Sequence, residues 1–184
     1  MRLSEARIPE LPPEEWPDEI KEMLAAQVKQ GNVFNIFKTL ANHPDLMRRW
    51  VVFANHILGK SSLSVREREL AILRIGYLCQ SGYEWGQHVV MARAAGVSDE
   101  DIRCVKEGPG TDGLTPHECL VLKATDELHA DAFVTDATWQ GLSETYSQRQ
   151  MMDLVFTVGQ YNMVSMVLNS FGVQLDDGLP GFDV

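Results

Sequence analysis

Cysteine is the scarcest informative residue in this chain, with only Cys79, Cys104 and Cys119 present. They form no Cys-x-x-Cys pair and no zinc-like spacing, and an odd count closes no disulfide set. Reduced thiols serving as small buried hydrophobes are therefore expected. Basic charge is also short: 16 Lys and Arg stand against 26 Asp and Glu, for a net charge of -10. A phosphate surface needs a basic face, so nucleic acid and anionic membrane are disfavoured as partners. No apolar run approaches the ~20 residues of a membrane span. The charged, Pro-rich amino terminus has no apolar stretch of signal-peptide type, and a cytoplasmic location is the expectation. No segment alternates apolar and polar residues with period two, so strands are not expected.

What the chain does have is helical punctuation. Pro9, Pro12 and Pro13 favour an extended arm over residues 1–16, of the kind that lies over a neighbour. Pro17 then opens a helix to Gln30, with Ile20, Met23, Leu24 and Val28 at helical spacing and Gly31 as the stop. A short apolar helix follows over Val33 to Ala41, and Pro44 starts another to about Leu58, before Gly59. Phe34, Phe37, Trp50 and Phe53 recur at helical spacing and read as core, with one or two of them expected at a site. Ser98 with Asp101, Thr115 with Glu118 and Ser147 with Gln150 have the form of capping boxes, opening helices to about Glu107, Ala130 and Phe171. Another helix runs from Asp136 to about Leu142 or Tyr146. Gly172 ends the last helix, whose apolar middle holds Asn162 as a candidate for substrate contact.

Two patterns are set aside. Gly108, Gly110 and Gly113 match G-x-G-x-x-G, but no strand precedes them, Pro109 interrupts them and Asp112 would oppose a pyrophosphate. Glu127, His129 and Asp131 point to different sides of their helix and make no metal site. The acidic tail from Gln174 reads as a surface segment or a strap between subunits. The sum is a single all-α domain over residues 1–184, a bundle of about nine helices. An apolar fraction of 45% and a helix apolar on nearly every side favour a homo-oligomer over a monomer.

The chemistry is densest in LSVRERELAILRIGYLCQSGYEWGQHVVMARAAG, Leu63 to Gly96, which reads as a helical hairpin. Ser64 with Glu67 caps the first helix. From Leu70 to Cys79 that helix is apolar nearly all round, as in a helix buried within a bundle or between subunits. Ser81-Gly82 breaks it, and a second box, Ser81 with Glu84, opens a helix to Ala95 that Gly96 ends. Ser81, Glu84 and His88 share one face, with Glu84 and His88 a turn apart. Antiparallel closure brings Glu69 of the first helix towards His88. Each residue also has a plain structural role open to it: a cap for Ser81 and Glu84, an ion pair with Arg66 for Glu69, a satisfied core position for His88.

A carboxylate and an imidazole in an apolar pocket are the parts of a proton-transfer site, with His88 as general acid or base, Glu69 orienting it or passing the proton, and Glu84 able to take either part. Arg74, set between Leu73 and Ile75, needs a partner if buried and is a candidate to hold a substrate carboxylate or to pair with Glu69. Nothing in these residues requires a metal or an organic cofactor.

The order Glu69, Ser81, Glu84, His88 resembles the motif of the carboxymuconolactone decarboxylase and alkyl hydroperoxidase D-like family, where a glutamate on one helix precedes a Cys-x-x-Cys-x-x-x-His element opening the next. On that motif Ser81 and Glu84 occupy the two redox-cysteine places, while Glu69 and His88 keep the proton-relay positions. Tyr83-Glu84-Trp85 with His88 looks like a subgroup without the redox pair, which makes Ser81, Tyr83 and Trp85 candidates for substrate contact. The resemblance is specific over about Pro44 to Arg103. It implies a family core over residues 44–130, a trimer or hexamer, and a small-molecule substrate. It implies first a cofactor-free lyase or decarboxylase acting on a small ring-derived acid, lactone or carbonyl compound. The alternatives are a thiol peroxidase, for which only Cys79 is near, and a non-catalytic helical scaffold or binding protein.

Overall fold

The sequence is most apolar in α5 (Val65–Leu78), and that helix is the axis of the fold. Every residue from Arg68 to Gly76 is buried, because α6 (Gly82–Ala94), α7 (Asp99–Glu107), α8 (Pro116–Asp131) and α10 (Gln148–Phe171) all pack against it. Its all-round apolar surface is thus covered by its own chain and does not by itself call for a neighbouring subunit. The computed structural model describes residues 2–184 and contains among them ten α-helices, a 3-10 turn at Pro13–Glu15 and no strand. The other helices are α1 (Asp18–Met23), α2 (Ala25–Gln30), α3 (Asn35–Leu40), α4 (Pro44–Lys60) and α9 (Asp136–Ser143).

The core falls into three clusters around that axis. One joins Ala71, Ile72 and Ile75 of α5 to Val121, Leu154 and Val158 of α8 and α10. A second sets Leu70 and Leu73 against Trp85, Val89, Ile102 and Leu122. The third holds Trp16, Ile20 and Leu24 of the amino-terminal segment against Met47, Tyr83 and Leu168. At about 25 cal/mol per Å² of apolar surface, fully burying side chains of this size contributes ~1.5–3 kcal/mol each.

Four expected capping boxes form, at Ser64, Ser98, Thr115 and Ser147, each with its reciprocal pair of hydrogen bonds. The expected single helix from Pro17 to Gln30 is instead two, broken at Leu24. Leu24 turns its backbone to φ -105 and ψ 14, and its side chain is buried with Trp16 and Ile20. Packing of that one leucine overrides the helical periodicity. The turn between α5 and α6 ends α5 with Gln80 in the left-handed region (φ 52) and the Ser81 amide donating to the Gly76 carbonyl at 2.9 Å, a Schellman closure made without glycine.

Both termini fold back on their own chain. The amides of Arg7 and Ile8 donate to the Phe171 carbonyl at 2.8 and 3.2 Å, so the amino-terminal arm caps the end of α10. In the tail, Asp176 accepts from the Tyr83 hydroxyl (2.6 Å), the Gln87 amide (2.8 Å) and the backbone N–H of Asn35 (2.9 Å). One carboxylate therefore ties the start of α3 to α6. Beyond it, Phe182 packs on Trp85 and Tyr77, with ring centroids 5.6 and 5.9 Å away. The tail crosses α6 at Gly86, where an added Cβ would lie 2.5 Å from the Pro180 carbonyl oxygen.

This crossing makes the sign of one substitution diagnostic. Helix propensity alone favours Gly86→Ala by roughly 1 kcal/mol, whereas displacement of the tail costs about 1–3 kcal/mol. Chemical denaturation is expected to show net destabilisation, with faster proteolytic cleavage after residue 173. A stability equal to or above wild type would mean that the tail does not occupy this crossing in solution.

Candidate active site

A buried line of alternating charges runs from the end of α4 through α5 into α6. The Arg68 guanidinium donates to the Leu58 carbonyl at 2.7 Å and to Glu69 Oε1 at 3.2 and 3.0 Å. Glu69 Oε2 lies 2.6 Å from His88 Nδ1, and His88 Nε2 lies 3.0 Å from Glu84 Oε1. The α5–α6 hairpin supplies the first of these imidazole contacts. A single turn of α6 supplies the second. The edge of the imidazole meets Tyr161 of α10, with centroids 4.8 Å apart and planes at 83°. All of these side chains are buried, Glu69 completely.

The charge states follow from this geometry. Burial disfavours the His88 imidazolium, but the charge and hydrogen bond of Glu69, joined by Glu84, outweigh it and raise the pKa to about 9. Burial likewise works against ionised Glu69, and the His88 and Arg68 charges hold its carboxyl below the usual range. Burial pushes the Tyr161 phenol well up, and the charges of Glu84 and Glu69 add to the effect. At neutral pH the site is therefore an imidazolium with both N–H groups engaged, beside a neutral phenol.

This assembly forms the polar end of a cavity of about 150 Å³ between α3, α4, α6 and α10. Phe34, Phe37, Trp50, Val51, Leu58 and Val164 make its apolar wall. Glu84, His88 and Tyr161 line it, while Glu69 and Arg68 stand behind. The aromatic trio Phe34, Phe37 and Trp50, read from sequence mainly as core, all face this space.

The remaining sequence candidates divide. Tyr83 lines the cavity with its ring while its hydroxyl donates to Asp176 and accepts from the Ile36 amide at 3.2 Å. Ser81 is buried at the start of α6, but its side chain makes no capping bond and its Oγ has no partner. The expected Ser81–Glu84 box does not form, because the Glu84 carboxylate is turned to His88 instead. Trp85 faces away from the cavity, into the cluster with Tyr77 and Phe182. Arg74 does not meet Glu69: it grips Asp126 with two bonds of 2.6 and 2.9 Å and donates to the Val105 and Lys106 carbonyls at the end of α7. Asn162 accepts from the Cys79 thiol at 3.1 Å, outside the cavity.

Three polar lining residues were not anticipated: Asn55, Gln87 and Gln160. Asn55 sits in the apolar row Val51, Ala54, Leu58 of α4, and an amide on such a row is the signal that could have marked it. Gln160 adjoins Tyr161 in the apolar middle of α10, and its buried Oε1 has no partner. Glu127, set aside as a metal ligand, instead accepts from the Thr135 amide and from the hydroxyls of Thr135 and Thr138 at the start of α9. Among the described residues no group of three or more His, Cys, Asp and Glu is arranged to hold a metal.

A raised histidine pKa makes a pH statement with a definite sign. The stabilisation from charged His88 is complete below the ordinary value of 6.5 and is lost as pH rises through about 9. An NMR titration of the imidazole is expected to give a midpoint near 9, and denaturation is expected to show a loss of roughly 1–3 kcal/mol between pH 7 and pH 10. A midpoint at or below 6.5 would contradict the two-carboxylate setting.

The sequence profile of the carboxymuconolactone decarboxylase family matches residues 44–127, a span that holds α4, the α5–α6 hairpin and most of α8. No match is found among curated proteins. The fold is similar to that of an alkylhydroperoxidase AhpD core, peroxidase-related protein from Ralstonia eutropha JMP134, at 22% identity and a TM-score of 0.83 over 94% of this chain and 93% of that one. A peroxidase-related protein from Silicibacter sp. TM1040 is similar at 20% identity and a TM-score of 0.82, over 97% and 96% of the two chains. A variant of the debrominase Bmp8, in complex with 2,3,4-tribromopyrrole, is similar at 12% identity and a TM-score of 0.78, over 95% and 94%. Residues 44–127 match the carboxymuconolactone decarboxylase family profile, and the chain as a whole has the all-helical fold of AhpD-core proteins.

Proposed function

We propose that this protein is a cofactor-free enzyme of the carboxymuconolactone decarboxylase type, moving protons on a small ring-derived acid, lactone or carbonyl compound. One observation carries the reading: an imidazolium held between two carboxylates at the polar end of an otherwise apolar, ring-sized cavity. Glu69 fixes the His88 ring through Nδ1, and Arg68 keeps Glu69 ionised. That leaves Nε2 and Glu84 as the pair at the cavity surface. In this reading His88 delivers a proton to a developing enolate or carbanion, Glu84 takes the proton that the substrate loses, and the pair resets by exchange along the 3.0 Å contact. The bound pyrrole of the debrominase is also a single small ring, which accords with a ring-sized ligand here.

A thiol peroxidase needs a thiolate where its substrate binds. No cysteine lines the cavity. The nearest by sequence, Cys79, has its thiol pushed up by burial and spends its proton on Asn162. The carboxylate–imidazole reading uses the groups that do face the cavity, and it is therefore preferred.

A homo-oligomer belongs to the same proposal, on evidence other than α5. Met152, Phe156, Met163 and Met166 are exposed on α10, and with Gly159 they repeat at 4-3-4-3 spacing. This is the seam of a helix that packs against another. The occupant we propose is a second copy of this chain.

Once a substrate is in hand, His88→Asn and Glu69→Gln should each lower turnover by about 10²-fold while the helical circular dichroism is kept. Near-wild-type rates in both would leave a binding protein as the better description. Sedimentation at micromolar concentration should show a species larger than the 20.7 kDa chain, which Phe156→Glu shifts towards monomer. A clean monomer in the wild type would remove the oligomer from the proposal.

A further inference from the structure

We infer that the cavity selects an electrically neutral, single-ring compound and discriminates against the carboxylate of the same shape. The inference rests on the proton-transfer reading of this cavity and narrows its substrate class to the neutral lactones and carbonyl compounds, setting the ring-derived acids aside. It begins with where every nearby cation is spent. No Lys or Arg lines the cavity. The Arg68 guanidinium is used by Glu69 and by the Leu58 carbonyl. Arg74, the sequence candidate for a substrate carboxylate, is held by Asp126 and two carbonyls of α7. Both nitrogens of His88 face carboxylates already. Counting Arg68, Glu69, His88 and Glu84 together, two positive and two negative charges cancel.

An anion entering this space would leave water for apolar walls, face the Glu84 carboxylate, and meet no unpaired cation, since the one cationic lining group, His88, is already held by two carboxylates. The -10 net charge of the chain works in the same direction. A neutral ring has none of these costs. An apolar cavity of about 150 Å³ is the size that holds one benzene-like ring. Gln160 is 4% exposed and lines the cavity, and it adds an uncharged amide to the lining, not a cation.

Two isosteric probes separate the cases without any turnover assay: 4-hydroxybenzamide, neutral at pH 7, and 4-hydroxybenzoate, an anion. Calorimetric titration of the wild-type protein should find the amide bound about 10-fold or more tightly than the carboxylate, the ratio expected from one uncompensated buried charge. Gln160→Lys, checked for folding by circular dichroism, places a cation in the lining and should reverse the order. Equal or tighter binding of 4-hydroxybenzoate by the wild type would overturn the inference. So would no binding of 4-hydroxybenzamide at millimolar concentration. Because the readout is equilibrium binding, the proton-transfer mechanism fails separately, through unchanged turnover in the His88 and Glu69 variants.

Discussion

The line of charges Arg68, Glu69, His88, Glu84 is the constraint on which the arrangement around it depends. Each member is buried, and an ionised group in that setting is tolerated only while its partners are in place. Removing one leaves the next uncompensated, at a cost of several kcal/mol. The register of α5 against α6 is therefore set by more than apolar packing, since a slip of one residue would part Glu69 from His88. The line also reaches beyond the hairpin. Arg68 ends on the Leu58 carbonyl near the end of α4, so the helix that carries Trp50, Val51 and Asn55 is held to the same charges that do the proposed chemistry.

A second charged device, half-buried, braces the cavity wall from outside. Asp176, from the tail, joins Tyr83 and Gln87 of α6 to the first amide of α3. Phe34 and Ile36 flank that amide and line the cavity wall. The tail is thus a clamp on the wall, although no tail residue touches the cavity. Its close crossing at Gly86 has the same consequence: α6 must be bare at that point for the clamp to seat.

Much of this was legible in the sequence where the signal is local. Capping boxes at Ser64, Ser98, Thr115 and Ser147 mark helix starts because both partners lie within a single turn of each other. The meeting of Glu69 with His88 was legible from face and hairpin closure together. The fifth apparent box, at Ser81, misled for an instructive reason: Glu84 at neutral pH has a charged imidazolium one turn ahead, and a charge-assisted bond outcompetes a backbone amide. Arg74 and Trp85 misled because periodicity gives the face of a helix but not which neighbour covers it. Both lie on buried faces, turned to α7, α8 and the tail rather than to the cavity. The break at Leu24 depends on a single packed side chain and the clamp at Asp176 on contacts far apart in the chain, and no local pattern announces either.

The two positions that resemble redox-cysteine sites have met different fates, and the difference bears on the chemistry proposed. Ser81 is buried with an unpartnered hydroxyl, so it fills volume without taking part in the charge line. Glu84 has entered that line fully. Where a thiolate would present an anion to the histidine, a carboxylate now does so. The electrostatic demand of His88 is met here by Glu84 together with Glu69. What differs is the reaction available: sulfur can form a bond to peroxide oxygen and be restored by a second thiol, whereas a carboxylate has no such redox cycle and is suited to accepting and returning a proton. With Arg68 and Glu69 behind the imidazole, the groups that this site offers are those of the proton transfer proposed above.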